Sequence, residues 1–538
     1  MDLINPQVVD LSRFQFALTA LYHFMFVPLT LGLTFFLAAI ETVYVITGRR
    51  IYKEITQFWG TIFGINFALG VATGITMEFE FGTNWSLYSH FFGDMFGTPL
   101  AIEGLLAFFM EATFVGLMFF GWDRLSKGAH LAVTWLVALG SNLSALWILI
   151  ANGAMQDPQG GAFDVATMRL QLQDAVALIF SEDAQAKFVH TSVAGYVAAS
   201  MLVIGISAFY ILRRRHLELA LRSFRMATLF GILSIVCVIT LGDALGEIDF
   251  HRQPVKVDAM EGIWTTTHPP QEPWLLFAWP DDAEQRNYLE IGIPYVLTPL
   301  VTHSFNTPIT GMKEYEEAAA PRIRNGINAV AALQRYTQTQ SPEDLRLFKD
   351  HANDLGYGFL AIKNAPEQNL QAINDTNIDA VVKATQPDIL PNVWVTFWAF
   401  RIMVGLGFYF LLFFAFAALF SLKRDLMKHP LFLKLCVYSI PTPIIAILFG
   451  WIVAEAGRQP WSVWENLPTF LAASNHSVAY MAFSLTGFAL MYTAFFIVEL
   501  YLMFRVARTG PVAENLAGHG NNASPLDVFG LSAKQGVR

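Results

Sequence analysis

The sequence predicts an all-α integral membrane protein of nine transmembrane helices, with one large loop on the outer, periplasmic face. The N-terminus is expected outside and the C-terminus in the cytoplasm. Hydrophobic residues make up 54% of the 538 residues and charged residues 14%, a composition far more apolar than that of a soluble domain. Nine apolar stretches reach the roughly 20 residues that cross a bilayer. Basic residues are concentrated in alternate connections between these stretches.

The spans follow one another along the chain with one long interruption. They are predicted near residues 15–46, 56–80, 97–122, 129–152, 187–212, 222–242, 393–421, 432–455 and 474–504. The first is expected to be a retained span, because its N-terminal flank has no basic segment and it is too long for a signal peptide. The predicted organisation is helices 1–6 in residues 1–242, an outer loop over 243–392, helices 7–9 in 393–510, and a polar cytoplasmic tail over 511–538.

Charge predicts the orientation of the chain. Basic clusters such as 213–215 and 423–428 lie in every second connection, whereas the segment 81–98 has no Lys or Arg. Basic connections stay in the cytoplasm, which places residues 243–390 outside. That segment holds 21 acidic and 11 basic residues, which argues against nucleic acid and anionic lipid as partners.

The sequence also predicts the local structure of the outer loop and the state of the two cysteines. The first part of the loop, 242–264, shows no helical periodicity, whereas 314–336 predicts a surface helix. Cys237 and Cys436 lie far apart and form no CxxC motif. Buried, inert thiols are therefore expected rather than a disulfide, a zinc site or a c-type heme.

Five candidate ligands are expected at one depth of the membrane. His23, Glu103, His190, Met403 and Glu455 each lie near the outer end of a different span, and a rise of 1.5 Å per residue puts all of them in the outer half. Ionisable groups at this depth are costly and indicate function. His and Met are axial ligands of heme iron.

Other interpretations of these residues remain open at this point. A single His forms helix–helix hydrogen bonds more often than it binds iron, and Met commonly fills packing gaps. The carboxylates, including Glu111, would also suit the ion path of a proton-coupled transporter. Arg401 and Arg458 could extend to the membrane interface.

Seven short sequence motifs, called words below, resemble subunit I of the cytochrome bd quinol oxidase family. They occur in order over about residues 10–510, and the GRQPW word within the last is the most specific. The words are SRFQFALTALYHFMFVPLTLG, FGINFALGVATGITMEFEFGTNW, GTPLAIEGLLAFFMEATFVGL, WLVALGSNLSALWILIANG, KFVHTSVAGY, FWAFRIMVGLG and AEAGRQPW.

The resemblance implies three hemes: one low-spin heme b, one high-spin heme b and one heme d. His190 and Met403 would be the axial ligands of the low-spin iron. His23 would bind one high-spin iron, expected to be that of heme d, and Glu455 the other.

The resemblance also implies residues around the hemes. Arg401 would steady a propionate or the charge on the iron, and Arg13 and Arg458 would pair with propionates. Trp451 would pass electrons between hemes, although a packing role is nearly as plausible for a tryptophan there. Glu103 would be a second ligand or a proton donor at the high-spin hemes.

The same resemblance assigns a reaction and its partners. The word RQPVKVDAMEGIW matches the quinol site, with Gln253, Lys256 and Glu261 at the quinol headgroup, in a loop of the long type. Protons for O₂ reduction would rise from the cytoplasm through Glu111 and Ser144, so that charge separates without a pump. The expected setting is the bacterial inner membrane, with a subunit II and a small single-span accessory subunit.

Overall fold

A computed structural model describes residues 4–511, without the side chains of residues 106, 107 and 371. Most of this part of the chain is helical. The helices in the first half are α1 (Pro6–His23), α2 (Val27–Thr47), α3 (Arg50–Thr83), α4 (Ser86–Ile102), α5 (Phe109–Phe120), α6 (Lys127–Gln156), α7 (Ala175–Ile179), α8 (Glu182–Leu212), α9 (Leu217–Arg252) and α10 (Pro254–Glu261). Those in the second half are α11 (Leu297–Thr302), α12 (Met312–Thr339), α13 (Pro342–His351), α14 (Leu355–Ala361), α15 (Ile378–Thr385), α16 (Val393–Leu422), α17 (Pro430–Tyr438), α18 (Thr442–Gly457) and α19 (Val478–Thr509).

The strands form three two-stranded antiparallel sheets, all in connections between spans. They are β1 (Gly161–Asp164) with β2 (Arg169–Leu172), β3 (Trp274–Asp281) with β4 (Arg286–Ile293), and β5 (Trp461–Val463) with β6 (Leu467–Pro468).

Within residues 4–511, nine helical segments are long and apolar enough to cross a membrane. This confirms the predicted number of spans. Several helices run further than predicted, because a helix can continue into water once its apolar part has crossed the bilayer. The polar tail predicted over 511–538 lies, apart from Pro511, outside the described residues.

α8 is the central helix of the bundle, and most of its residues are buried. Glycines allow its neighbour α2 to approach closely: a Cβ on Gly32 would lie 2.6 Å from Cβ of Ala199, and one on Gly195 would lie 2.7 Å from the carbonyl oxygen of Pro28. Small residues at such contacts are typical of membrane helices, where association depends on close van der Waals packing.

Several spans are not continuous α-helices. The eighth breaks at residues 439–441, between α17 and α18, and in the first and third the irregular turn lies at a candidate residue. The first breaks at residues 24–26, directly after His23, and resumes with Pro28 in the first turn of α2. The third contains a π-helix over Glu103–Phe108 that follows Pro99. Irregular turns of this kind often occur at functional sites.

The start of the outer loop corrects one prediction. Residues 242–264 showed no helical period, yet α9 continues to Arg252 and α10 covers Pro254–Glu261. The period is absent because α10 is buried on nearly all sides, including its Lys and both of its acids. The predicted surface helix exists as α12, although one of its faces is buried in the loop.

The two cysteines were predicted to be buried, and this prediction is wrong for Cys237, which lies on the outside of α9. Both cysteines are free, but only Cys436 is buried, whereas Cys237 is exposed on the helix surface. Nε2 of His476 lies 2.8 Å from the carbonyl oxygen of Thr83 and joins the residues before α19 to the end of α3.

Arg322 of α12 connects the second half of the outer loop to the β5–β6 connection. Its guanidinium donates to Asp354 (2.8 Å), to both carboxylate oxygens of Glu465 (2.7 and 2.8 Å) and to the hydroxyl of Tyr357 (2.9 Å). Glu465 lies in the β5–β6 connection, so this one side chain joins three segments that are distant in sequence.

We expect Arg322→Gln to lower the unfolding free energy by about 2 kcal/mol, because it leaves partly buried carboxylates without their cation. Thermal unfolding of the purified protein measures this change. Arg346→Gln is the matched control, since Arg346 is 86% exposed in a single ion pair. Equal melting temperatures for the two variants would contradict the assignment.

Candidate functional site

His23 is the last residue of α1 and is held in one orientation. Its Nδ1 lies 3.0 Å from Oγ1 of Thr73 on α3, which leaves Nε2 as the nitrogen available to a ligand. A Cβ on Gly74 would lie 3.0 Å from Cε1 of the ring, so the absence of a side chain there makes room for the imidazole. A hydrogen bond to one ring nitrogen is the usual way that proteins orient a metal-binding histidine.

His190 and Met403 also lie against glycines of neighbouring helices. A Cβ on Gly242 of α9 would lie 3.2 Å from Cε1 of His190, and one on Gly450 of α18 would lie 3.0 Å from Sδ of Met403. Their helices, α8 and α16, both pack against α9 and α18. The structure therefore brings the predicted axial pair into one four-helix neighbourhood.

Glu455 ends α18 among polar partners. Its carboxylate accepts hydrogen bonds from Asn152 (2.9 Å), from Gln156 (3.3 Å) and from Arg458. Arg458, predicted to meet a propionate, also donates to the carbonyl oxygen of Ser462. The carboxylate is thus fixed by side chains from α6 and from its own turn.

Two further predicted residues lie close to this turn. Trp451 stacks on Phe24 at 4.4 Å between ring centroids, and Phe24 directly follows His23. The side chain of Arg13 is exposed, with Nη2 3.4 Å from Oε1 of Gln459. The His23 turn and the Glu455 helix are therefore neighbours in space.

One face of α6 supplies hydrogen bonds to several buried acids, and we call it the α6 polar stripe. Ser144 donates to Glu103 (2.6 Å) and Ser141 donates to Glu111 (2.5 Å). Ser144, expected from the sequence to extend the path from Glu111, thus contacts Glu103 directly. The stripe consists of His130, Thr134, Ser141, Ser144, Asn152 and Gln156.

Sequence reasoning missed most of the stripe. His130 and Thr134 bind Glu41, with Nδ1 and Oγ1 each 2.6 Å from a carboxylate oxygen, but His130 lies at the predicted edge of its span. Single Ser and Thr residues are common in apolar helices, so one such residue does not by itself indicate a functional site. Their recurrence at helical spacing along a 30-residue helix was the available signal.

The residues assigned to the quinol headgroup divide into two groups. Nζ of Lys256 lies 2.5 Å from Oε1 of Gln253, 3.1 Å from Asp249 and 3.4 Å from Oε1 of Gln156. Glu261 faces elsewhere and pairs with Arg401 at 2.6 Å. Burial lowers the pKa of the Lys256 amine, and the charge of Asp249 opposes this.

Glu261 borders a cavity of about 310 Å³ in the outer loop. Its lining is mixed, with Trp264, Leu275, Asn287 and Lys313 among the surrounding residues. This volume is at the lower end of the range of small-molecule sites. Arg401 lies behind Glu261, where it also donates to the carbonyl oxygen of Leu275.

The donor set and the unpartnered atoms fit hemes. His, Met and carboxylate donors stand beside buried arginines, which suits iron and propionates. Among the described residues, Nδ1 of His190, Nη1 of Arg401, Nε of Arg458 and Oδ1 of Asn152 are buried without a hydrogen bond of standard geometry. Buried polar atoms are rarely left unpaired, so these positions are suited to a polar cofactor.

Comparison with known proteins gives consistent matches over nearly the whole chain. The family model for cytochrome bd terminal oxidase subunit I matches residues 11–511. The chain is 49% identical over 507 residues to cytochrome bd-II ubiquinol oxidase subunit 1 of Escherichia coli (strain K12), covering 94% of this chain and 97% of that protein. It is 34% identical over 536 residues to cytochrome bd ubiquinol oxidase subunit 1 of Bacillus subtilis (strain 168), covering 98% of each.

A solved structure supports the fold. The bd oxidase from Geobacillus thermodenitrificans superposes with a TM-score of 0.74, covering 94% of this chain and 99% of that chain, at 22% sequence identity.

We expect Gly242→Val to displace the imidazole of His190, because its side chain would occupy the space beside Cε1. If His190 binds the low-spin iron that the resemblance implies, the low-spin heme band should be lost or shifted in the reduced-minus-oxidised absorption spectrum. Gly246→Val is the matched control, since no atom lies within 4 Å of a Cβ at this position one turn further on. An unchanged low-spin band in Gly242→Val would contradict the placement.

Proposed function

The chain belongs to the cytochrome bd terminal oxidase subunit I family, and on that premise we propose that it oxidises quinol at the outer face and reduces O₂ to water at a heme d site. The relatives are named ubiquinol oxidase subunits, which supports a quinol as the electron donor. Nine apolar helices of sufficient length in residues 4–511 make it a membrane protein.

The observation that carries this proposal is the buried ion pair between Glu261 and Arg401. Glu261 borders the loop cavity, and Arg401 lies two residues before Met403 on α16. Quinol oxidation needs a carboxylate that accepts a proton close to an electron acceptor. This pair joins the expected quinol loop, residues 243–392, to the helix of an expected heme ligand.

Two hemes b and one heme d are the proposed cofactors. His190 and Met403 would hold the low-spin heme b, His23 heme d, and Glu455 the high-spin heme b. When bound, these hemes supply iron that carries electrons and binds O₂.

Side chains near these ligands have proposed supporting roles. Arg458 and Arg13 would serve propionates, and Trp451 would pass electrons between hemes. Its stack on Phe24, the residue after His23, supports this role. Arg401 would hold Glu261 and contribute positive charge near the low-spin site.

The hydrogen bonds that Gln253 and Lys256 make to Gln156 have a different proposed role. Gln253 donates to the carbonyl oxygen of Gln156 (2.7 Å), while Lys256 reaches Oε1 of the same residue. Gln156 in turn donates to Glu455. We assign Gln253 and Lys256 to fixing α10 beside the cofactor positions, with Glu261 as the group that meets the quinol headgroup.

Protons for O₂ reduction would travel from the cytoplasm along Glu111 and Glu103. Ser141 and Ser144 hold these carboxylates and lie almost one turn apart on α6. With quinol protons released outside, as the basic-loop orientation implies, each turnover would separate charge without a pump.

Partners and location follow from the family. The relatives are named subunit 1, which implies a subunit II, and we propose in addition a small single-span accessory subunit. The proposed location is the bacterial inner membrane, with the N-terminus outside and the C-terminus in the cytoplasm.

The purified complex should show low-spin heme b, high-spin heme b and far-red heme d bands, and should consume O₂ when quinol is supplied. Met403→Leu should remove the low-spin signal and lower quinol oxidation by at least about 100-fold, because leucine has no iron ligand. A spectrum without heme would favour the proton-coupled transporter instead.

Glu111→Gln should lower O₂ reduction about 100-fold while leaving the heme spectrum intact, because an amide keeps the hydrogen bond from Ser141 but cannot carry a proton. The measurement is O₂ consumption together with proton uptake in vesicles. Glu54→Gln, a partly exposed acid at the start of α3, is the control. Full turnover in Glu111→Gln would exclude this path.

A further inference from the structure

Asp258 is a buried acid in the outer loop to which the proposed reaction gives no role. It lies in the middle of α10 with 0% exposure, and among the described residues neither of its carboxylate oxygens has a hydrogen-bond partner. It precedes Glu261 by three residues, so the two side chains lie on the same face, about 5–6 Å apart at Cβ. Lys256 points to another side of the helix.

The start of α12 packs against α10 and the segment that follows it. The amides of Met312 and Lys313 donate to the carbonyl oxygens of Ile263 and Trp264 at 3.2 and 3.1 Å. These bonds hold the segment after α10 against α12.

Glu314 comes next on α12 and is only partly buried. Its Oε1 accepts from the amide of Thr266 at 3.3 Å, whereas its Oε2 is buried without a partner among the described residues. The side chain of Glu314 therefore has one buried oxygen, near α10, while the residue as a whole is partly exposed at the loop surface.

Charged groups on the three other helices that pack against α10 have partners of their own. Asp249 of α9 pairs with Lys256, Arg401 of α16 pairs with Glu261, and Arg458 of α18 pairs with Glu455.

Glu314 is thus the charged group that acts on Asp258, and Tyr315 is the neighbouring phenol. Burial and the negative charge of Glu314 raise the pKa of Asp258 well above its usual range. This shift favours the protonated, neutral form of Asp258.

We propose that Asp258 and Glu314 form a proton relay that carries the protons of quinol oxidation from Glu261 to the outer surface. The proposal deepens the proposed function and rests on it. Asp258 shares a helix face with Glu261, and α10 packs against α12, which carries Glu314. Asp258 and Glu314 both have buried carboxylate oxygens without a hydrogen-bond partner among the described residues. A buried acid in this position is suited to the role, because it can give its proton to one carboxylate while it receives a proton from the other.

The proton and electron balance is complete. The quinol would lose two electrons, which bound hemes would accept, and two protons, which would pass one at a time to the carboxylate of Glu261. Each proton moves from Glu261 to Asp258 as the proton of Asp258 moves to Glu314. Glu314 then releases it to the outer water, which restores all three groups for the next proton.

The test is Asp258→Asn in the purified holoenzyme. Asparagine has the size and neutrality of the protonated acid, so a purely structural Asp258 would tolerate it, whereas a relay would fail. We expect normal heme content, normal reduction of the hemes by dithionite, and heme reduction by quinol at least about tenfold slower. An infrared band of a protonated carboxyl group should be lost, and proton release outside reconstituted vesicles should slow equally.

Glu314→Gln should slow quinol-driven reduction in the same way. Its matched control is Glu317→Gln, an exposed acid three residues further along the same helix. Wild-type rates in Asp258→Asn or in Glu314→Gln would overturn the relay. If Asp258→Asn does not assemble, Glu314→Gln decides the question, and a wild-type complex that does not oxidise quinol would instead overturn the proposed function.

Discussion

Four buried or partly buried carboxylates of the bundle receive hydrogen bonds from one helix, α6. Its polar stripe serves Glu41, Glu103, Glu111 and Glu455, which come from four different segments. Within a bilayer there is no water to satisfy such groups, and each unsatisfied one costs several kcal/mol. α6 therefore fixes where the acids lie, and through them how α2, α5 and α18 are arranged around it.

Close helix packing at glycines is the second requirement of the site. His23, His190 and Met403 each lie against a glycine of another helix, namely Gly74, Gly242 and Gly450. Glycine weakens a helix by about 1 kcal/mol relative to alanine, and here it provides the space in which a ligand side chain can sit between two backbones. The positions of these three candidate ligands are therefore set by pairs of helices rather than by single ones.

The outer loop is attached to the bundle by buried charges rather than by apolar packing alone. Lys256 with Asp249 and Arg401 with Glu261 connect α10 to α9 and α16. Buried pairs of this kind contribute modestly to stability but are costly to break. They hold the acids of α10 in register with the helices that carry the expected heme ligands, so the loop and the bundle form one site.

The sequence by itself determined the class of the protein, the nine spans and the identity of the main candidate residues. Apolar length, alternating basic charge and words such as GRQPW are local properties, and they remain valid whatever the packing. Tertiary structure decided which atoms meet: Ser144 with Glu103 rather than Glu111, Glu261 with Arg401 rather than Lys256, and α10 as a buried helix without visible periodicity. These contacts join residues from separate helices, and the rotation of each helix about its axis is set by packing, which no single stretch of sequence contains.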